Sequence, residues 1–484
     1  MIIKNEIKKC LLCHDAPCNK ACDFDVERII RAFYFDNDVY ASNLAKKIDC
    51  ANCKKTCENA CINDVKIKEI ISNLKANSRN DDYVIKDVDL STDICGIKLI
   101  NPFLLSSSVV SSSYDMVKRA FDLGWAGVVY KTISLFDIKE SSPRFDALNN
   151  STNDIYGFKN IEQLSDVSFE ENLKIFRKLK DDYPNHVLVV SIMGRNEEEW
   201  GYLSKKVGES GADIIELNFS CPNMEDKEMG VEVGQNKDLC RKYVKAAKEA
   251  TNVPILAKLT PNITNMVEVA RACKEAGADG IATINTIKSI TGINYEDGKI
   301  RNMMVGGYSG KAVKPIALRF ISDLAKDEAI KKMSISGIGG IETWKDAAEF
   351  IMLGSDSIQL TTAVMLYGQR IIDDLIMGLK IFMALNGYKT IKELKGIALN
   401  NVVDSDKMDR KTIVYPKLIE DKCLKCLRCY ISCKDGGHQA ISFDQNLRKP
   451  VFNYANCVGC FLCGLVCPNK AIEQTKRVLN PRYI

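Results

Sequence analysis

The sequence predicts an α/β protein built on a (β/α)8 barrel, with a cysteine-rich segment at each end. Three observations predict it. Between about residues 88 and 395, eight short apolar runs alternate with amphipathic stretches. A weak internal repeat, ESGAD (209–213), EAGAD (275–279) and LGSD (353–356), closes one helix with glycine and opens the next strand each time. Finally, eight of the twenty cysteines fall within residues 10–61 and eight within 423–467. Only Cys95, Cys221, Cys240 and Cys273 lie between. A chain of 484 residues has room for two or three domains. The expected division is a helical two-cluster segment (1–75), a barrel (88–395) and a second two-cluster domain (416–484).

The eight predicted strands are FLLSSS (103–108), GVVYKTIS (127–134), HVLVVSIMG (186–194), IIELNFSC (214–221), PILAKLTP (254–261), GIATINT (280–286), MSISGIGG (333–340) and SIQLTTAV (357–364). Each is nearly continuous in apolar residues, as strands of a parallel sheet covered on both faces must be. Eight such units in about 300 residues favour a closed barrel over a doubly wound open sheet. The preceding stretch, STDICGIKLINPF, reads as a hairpin that closes the barrel bottom.

Formal charge is +4, without the basic patch that nucleic acid requires. No apolar run approaches membrane-spanning length, and MIIKNEIKKC lacks the apolar core of a secretory signal. A cytoplasmic protein is expected. In such a chain clustered cysteines point to metal or catalysis rather than disulfides.

The C-terminal cysteines have the spacing of a bacterial two-cluster ferredoxin: Cys423-x2-Cys426-x2-Cys429-x3-Cys433, then Cys457-x2-Cys460-x2-Cys463-x3-Cys467-Pro468. In that arrangement the fourth cysteine of each run ligates the other cluster. Cys423, Cys426, Cys429 and Cys467 would hold one [4Fe-4S] cluster, and Cys457, Cys460, Cys463 and Cys433 the other. Zinc is the alternative. The N-terminal block reads Cys10-x2-Cys13-x4-Cys18-x3-Cys22, then Cys50-x2-Cys53-x3-Cys57-x3-Cys61, around a stretch of helical periodicity.

Barrel chemistry sits at the C-terminal ends of the strands. The unusual residues are there. Lys131 and Lys258 end apolar strands, where an ammonium needs a partner or must reach past the rim. Asn218 and Cys221 end strand four, and Asn285-Thr286 end strand six. SGIGGIE and QLTTAV after strands seven and eight offer amides and hydroxyls for a phosphate. Clusters pass single electrons, whereas most organic substrates take pairs. A flavin mononucleotide joins the two regimes and fits one phosphate site. A strand–G-x-G-x-x-G–helix unit for NAD or FAD is absent from the sequence, so the electron source is expected to be external.

IIELNFSCPN…MGVEVGQ, PILAKLTPNIT, ATINT and GGYSGKAVKPIALR resemble the pyrimidine-binding half of the dihydropyrimidine dehydrogenase family, over about residues 88–480. The related dihydroorotate dehydrogenases share the barrel and the Asn-x-x-Cys-Pro element. The resemblance implies an oxidoreductase acting on the 5,6 double bond of a pyrimidine, with hydride from FMN N5 and a proton from Cys221. It implies that Ser107, Lys131, Thr132 and Lys258 contact the flavin. Gly310, Gly339, Gly340, Thr361 and Thr362 would line its ribityl and phosphate groups. Asn160, Asn218, Asn285 and Thr286 would hold the pyrimidine, and substrate choice would be made near Asn223. A thiol with a pKa near 8.5 is mostly protonated at neutral pH yet can give up its proton. A small buried structural cysteine is the alternative for Cys221. Segment 222–236 would be the loop that closes over substrate.

CLLCHDAPCNKAC resembles the helical two-cluster domain of the same family. By that resemblance Cys10, Cys13, Cys18 and Cys61 hold one cluster. Cys22, Cys53 and Cys57 hold most of another, with Cys50 free to complete it; the roles of Cys50 and Cys53 stay open. Zinc is again the alternative. Four clusters would bring the formal +4 to about −4. Two departures stand out. Asn223 replaces the family's histidine after Cys-Pro, and the two-cluster segment joins the barrel directly, with no FAD/NADPH module. The expected donor is ferredoxin or a separate FAD-containing NAD(P)H subunit, and a homodimer is expected. The competing readings are a dihydroorotate dehydrogenase and a non-catalytic electron-transfer subunit.

Overall fold

The computed structural model describes residues 6–50, 53–54, 56–78, 85–136, 138–149, 154–219, 231–300 and 305–482. The chain divides near residue 401 into two compact units. The larger unit contains a closed barrel of eight parallel strands: β1 (Phe103–Leu105), β2 (Gly127–Ile133), β3 (Val187–Ile192), β4 (Ile214–Asn218), β5 (Ile255–Lys258), β6 (Gly280–Thr283), β7 (Ser334–Ile338) and β8 (Ser357–Leu360). They neighbour one another in chain order, and β8 pairs with β1. Each strand is shorter than its apolar run, because the polar residues that follow leave the ladder to line the mouth.

Side-chain parity explains what the strands do. Leu104, Val129, Val187, Val189, Ile214, Leu256, Ala282 and Ile338 form one apolar cluster inside the barrel. Their alternating neighbours, such as Phe103, Val128, Leu188, Ile215, Ile255, Ile281 and Ile358, belong to the outer core beneath the helices. The hairpin Thr92–Ile94/Ile97–Leu99 plugs the lower end, with Ile94 and Leu99 in the inner cluster. It is held there by Cys95 N–H to Ser334 Oγ (2.8 Å) and Thr92 Oγ1 to the Asp356 carbonyl (3.0 Å).

The internal repeat proves to be a reusable joint. Gly211, Gly277 and Gly354 have φ of 95°, 101° and 110°, a region that favours glycine. Two residues later an aspartate accepts from the first amides of the preceding strand: Asp213 from Leu188 (2.8 Å), Asp279 from Ile255 (2.7 Å) and Asp356 from Ile335 (2.9 Å). A lysine binds each carboxylate as well: Lys180, Lys248 and Lys395 respectively. The repeat thus sets the register of three strands.

The N-terminal helices Val26–Tyr34, Asp38–Lys46 and Ile67–Ala76 enclose a small apolar core that includes Ile29, Ile30, Ala41, Ile70 and Ile71. They pack on the barrel helix Ile371–Leu385. Gly378 makes the approach possible, since a Cβ there would lie 2.1 Å from both Asn37 Oδ1 and the Trp344 ring. Asn37 Nδ2 donates to the Asp374 carbonyl (2.9 Å). Arg31 reaches Glu27, Asp373 and Asp374, the last at 2.8 Å, though this contact is not aligned for a hydrogen bond. The smaller unit has two-stranded antiparallel ribbons, among them Pro416–Leu418/Ile472–Gln474 and Ile441–Asp444/Lys449–Phe452, and helices Arg428–Gly436 and Leu462–Leu465. Among the described residues no helix is long and apolar enough to cross a membrane.

Two predictions test these joints. Asp279→Ala leaves the Ile255 amide without its acceptor and should lower stability by about 1–3 kcal/mol in denaturant unfolding. The exposed Glu328→Ala should change it by less than about 0.5 kcal/mol. Burial pushes Asp374 up to about 6, against the pull of Arg31. Its folded value exceeds the ordinary carboxylate value, so its contribution to stability is full at low pH and is lost as pH rises through about 6. Asp374→Asn should therefore flatten the pH dependence of unfolding in that window; an unchanged profile would refute the assignment.

Candidate active site

A cleft enclosing about 1130 Å3, solvent at its mouth included, opens at the C-terminal ends of the strands. Its floor is a buried polar layer. Parity places Glu216 and Asn218 of β4 inside the barrel, with Lys258 of β5 in register with Asn218. Glu216 is fully buried, and its Oε1 lies 3.2 Å from Lys258 Nζ. Gln359 of β8 donates to Glu216 Oε2 (3.3 Å) and to Ser336 Oγ (3.0 Å), and accepts from Ser106 Oγ (3.1 Å). A carboxylate, an ammonium, an amide and two hydroxyls thus satisfy one another where an apolar layer would otherwise continue.

Lys131 and Thr132 reach the cleft by a different device. The pairing of β2 with β3 shifts register between Tyr130 and Ile133. Such an irregularity re-aims side chains, and here two successive residues both line the cleft. Lys131 Nζ binds Glu162 Oε2 at 2.7 Å, and Glu162 Oε1 meets Arg144 at 3.0 Å. Thr132 Oγ1 lies 3.1 Å from Ser107 Oγ and 3.0 Å from Ser191 Oγ, and accepts from Asn218 Nδ2 (3.0 Å). Asn218 Oδ1 in turn accepts from Asn285 Nδ2 (3.3 Å), and Asn285 Oδ1 from the Thr286 amide (2.8 Å). Asn160 ends a strand of the four-stranded sheet beside the cleft and donates to the Gly307 carbonyl (3.2 Å).

The other end of the cleft is built from small residues. Gly310, Gly339, Gly340, Thr361 and Thr362 line it together. Gly340 has φ of 73°, and a Cβ there would lie 2.8 Å from both the Gly310 carbonyl oxygen and the Lys314 nitrogen. Only glycine keeps this cradle open. Ser309 Oγ lies 3.0 Å from Thr362 Oγ1, and Thr361 Oγ1 donates to Ser108 Oγ (3.2 Å). Hydroxyls at this end and amides near the lysines suit an anionic tail and a heterocycle edge respectively, so the residues fit a flavin mononucleotide.

All of Ser107, Lys131, Thr132, Asn160, Asn218, Lys258, Asn285, Thr286, Gly310, Gly339, Gly340, Thr361 and Thr362 line this one cleft. Cys221 and Asn223 lie outside the described residues. Sequence reasoning missed Glu216, Glu162 and Gln359. For Glu216 a signal existed: a charge at the same parity as Asn218 in an otherwise apolar strand.

The cysteines ring separate cavities. Cys10, Cys13, Cys18 and Cys61 line one, walled by Leu12, Ile30 and Val65. In the smaller unit Cys423, Cys426, Cys429 and Cys467 line a second, and Cys433, Cys457, Cys460 and Cys463 a third. Cys22, Cys50 and Cys53 lie close enough to influence one another, and Cys57 feels Cys22 and Cys53. Backbone amides donate to sulfur at Cys61, Cys433 and Cys467. Burial pushes Cys18 and Cys57 up to about 11 and Cys463 to about 12. Buried thiolates need cationic ligation. In the smaller unit the two sets, each closed by the fourth cysteine of the other run, are the ligand pattern of a two-cluster ferredoxin.

Residues 89–383 match the dihydroorotate dehydrogenase family, and residues 417–474 match the 4Fe-4S dicluster domain. The chain belongs to the dihydroorotate dehydrogenase family. It is 51% identical over 393 residues to the NAD-dependent dihydropyrimidine dehydrogenase subunit PreA of Escherichia coli, covering 80% of this chain and 95% of that one. It is 40% identical over 311 residues to the catalytic subunit of dihydroorotate dehydrogenase B (NAD(+)) of Pyrococcus abyssi, covering 64% and 99%. It is 40% identical over 328 residues to the chloroplastic dihydropyrimidine dehydrogenase (NADP(+)) of Arabidopsis thaliana, covering 64% and 77%. The dihydroorotate dehydrogenase of Eimeria tenella, solved with ferulenol, shares the fold, with a TM-score of 0.55 and 20% identity over 66% of this chain and 89% of that one. This family member is a flavin oxidoreductase of the type acting on CH–CH groups, with a C-terminal iron–sulfur domain.

The floor layer makes a direct prediction. Glu216→Leu strands the Lys258 ammonium in the barrel and should cost about 3–5 kcal/mol in denaturant unfolding. Adding Lys258→Met should recover most of that loss, because a buried pair replaced as a whole is close to neutral. Failure of the second change to recover stability would show that the two charges do not act as a pair.

Proposed function

We propose that this chain is a cytoplasmic, homodimeric enzyme that interconverts a pyrimidine base, uracil or thymine, with its 5,6-dihydro form. The observation that carries this reading is the charge balance of the cleft. Both ammonium groups among its described lining residues, Lys131 and Lys258, are matched to carboxylates. A neutral base with alternating C=O and N–H groups is complemented by Asn160, Asn218, Asn285 and Thr286. The orotate carboxylate would find no unmatched cation among those residues, so dihydroorotate chemistry is the second reading.

When bound, the FMN supplies or accepts hydride at N5, and [4Fe-4S] clusters supply single electrons. The chain's own residues do the rest. Glu216 holds the Lys258 ammonium in place, and that ammonium would stabilise the negative charge that a bound flavin gathers on reduction, which is electrostatic preorganisation. Ser107, Thr132 and Lys131 position the ring. Gly310, Gly339, Gly340, Thr361 and Thr362 would take the ribityl and phosphate groups. Asn218 and Asn285, already bonded to each other, present one donor–acceptor edge to the base. Hydride goes to C6 and a proton to C5. Cys221 follows the last residue of β4 by three positions and is assigned that proton, with Asn223 beside the substrate. Cys10, Cys13, Cys18 and Cys61 would hold one N-terminal cluster, and Cys22, Cys50, Cys53 and Cys57 the other. Electrons come from ferredoxin or from a separate FAD-containing NAD(P)H subunit.

Cys221→Ser should keep FMN and iron but lose turnover by about a hundredfold or more, the scale of one general acid. Full turnover would eliminate the assignment. Uracil should perturb the flavin spectrum of the purified holoprotein more strongly than orotate; the reverse order would favour the second reading. The chain alone should reduce uracil with reduced viologen but not with NADPH, and robust NADPH activity would remove the external donor.

A further inference from the structure

The seam between the N-terminal helices and the barrel lies inside one compact unit. Arg370 stands on the barrel side, just before helix Ile371–Leu385. Its guanidinium donates to the carbonyl oxygens of Leu12 (2.5 Å) and Cys13 (3.5 Å) and lies 3.3 Å from Glu27 Oε1. Leu12, Cys13 and Glu27 all line the cavity ringed by Cys10, Cys13, Cys18 and Cys61. A barrel residue therefore grips the loop on which that four-cysteine site is built.

Beside this grip two tyrosines meet. Tyr34 and Tyr367 pack edge-on, with ring centroids 6.0 Å apart and planes at 65°. Phe35 packs edge-on against Tyr367 at 5.1 Å. Tyr34 packs on both hydrophobic cores, that of the N-terminal helices and that of the barrel. Tyr367 ends the short helix Thr362–Tyr367, whose Thr362, Ala363 and Met365 wall the flavin cleft. Cys10, Cys18 and Cys61 border the same helical core on which Tyr34 packs. The Tyr34–Tyr367 contact thus lies between the helical core that cysteines of this site border and the helix that walls the cleft.

We propose that the Cys10/Cys13/Cys18/Cys61 site exchanges electrons directly with the flavin cleft through the Tyr34–Tyr367 contact, with Arg370 as the positioning residue that holds the cluster loop against the barrel. This rests on the reading that the site holds a cluster and the cleft a flavin. Reduction of one carbon–carbon double bond takes two electrons and two protons. The electrons leave a reduced one-electron carrier protein in succession and cross the contact singly. The protons enter at the cleft, one within the hydride and one from the acid. No bond forms or breaks at either tyrosine.

The test uses the full-length holoprotein under anaerobic conditions, without substrate. A light flash with a photosensitiser injects single electrons, and flavin bleaching is followed in time. We expect a phase whose rate does not depend on protein concentration. Tyr367→Leu and Arg370→Gln should each slow it about tenfold or more, with iron and FMN contents unchanged. Arg370→Lys should recover part of the rate, and Arg370→Gln should also move the midpoint potential of one cluster in an EPR-monitored titration. Cys13→Ser, which removes a ligand, should abolish the phase. An unchanged rate in Arg370→Gln, or in Cys13→Ser, overturns the proposal, even if Tyr367→Leu does not fold. Because substrate is absent, failure of the pyrimidine reading leaves this result standing. A protein that binds FMN and uracil but carries no iron on its N-terminal cysteines overturns the proposal and leaves the pyrimidine reading intact.

Discussion

Two opposite charges enclosed in a barrel must satisfy one another, and the mouth of this barrel is arranged around that requirement. Glu216 and Lys258 sit on adjacent strands, offset diagonally by two residues. Neither could remain ionised alone at that depth without a cost of several kcal/mol. Gln359, Ser336 and Ser106 complete the layer, so four of the eight strands and the residue just after β1 contribute to one polar plane. Below it the interior is apolar and plugged by the hairpin; above it lies the cleft. The plane divides a part that only has to be stable from a part that can do chemistry. It also fixes an ammonium that a substituted, water-filled mouth would leave mobile.

Much of this was legible in the sequence, for physical reasons. Strands buried on both faces must be apolar throughout, so the eight runs announced themselves, and so did the lysines that interrupt two of them. The glycine–aspartate repeat was visible as a pattern. Its work was not, because the partner of each aspartate is an amide at the first or second residue of another strand, a contact between residues 21 to 25 positions apart. Strand ends were overextended for a similar reason. Residues such as Ser106, Ser107, Thr361 and Thr362 have ordinary strand neighbours in sequence but hydrogen-bond across the mouth. Thr132 is the clearest limit. Alternation assigns it the face opposite Lys131, and only the register shift in β2 brings both to one cleft. No one-dimensional period contains that shift.

The cysteines illustrate the opposite case, in which spacing nearly determines structure. A C-x2-C turn presents thiols to one side, and left-handed residues such as Leu12, Leu427 and Phe461 make the turn. What spacing alone leaves open is which distant cysteine closes each set. The structure gathers Cys61 with Cys10, Cys13 and Cys18, and exchanges Cys433 and Cys467 between the two C-terminal runs. The apolar walls then matter as much as the thiols. They raise the cost of free thiolate charge, so ligation and burial favour the same state.

The docking of the N-terminal helices on the barrel turns on the same balance of burial against charge. Burial raises Asp374 to about 6 despite Arg31, so desolvation costs more than the pair returns. A pair of this kind is a poor source of stability. We read it instead as a device for registration: Arg31 can satisfy Glu27, Asp373 and Asp374 together only when the two helix sets meet in one alignment. Gly378 reinforces the point, because any side chain there would push Asn37 and Trp344 away. A loosely tethered segment would need neither feature. One whose separation from the cleft must be held constant needs both, since transfer of an electron between fixed sites depends on distance and not on how tightly the sites are held together.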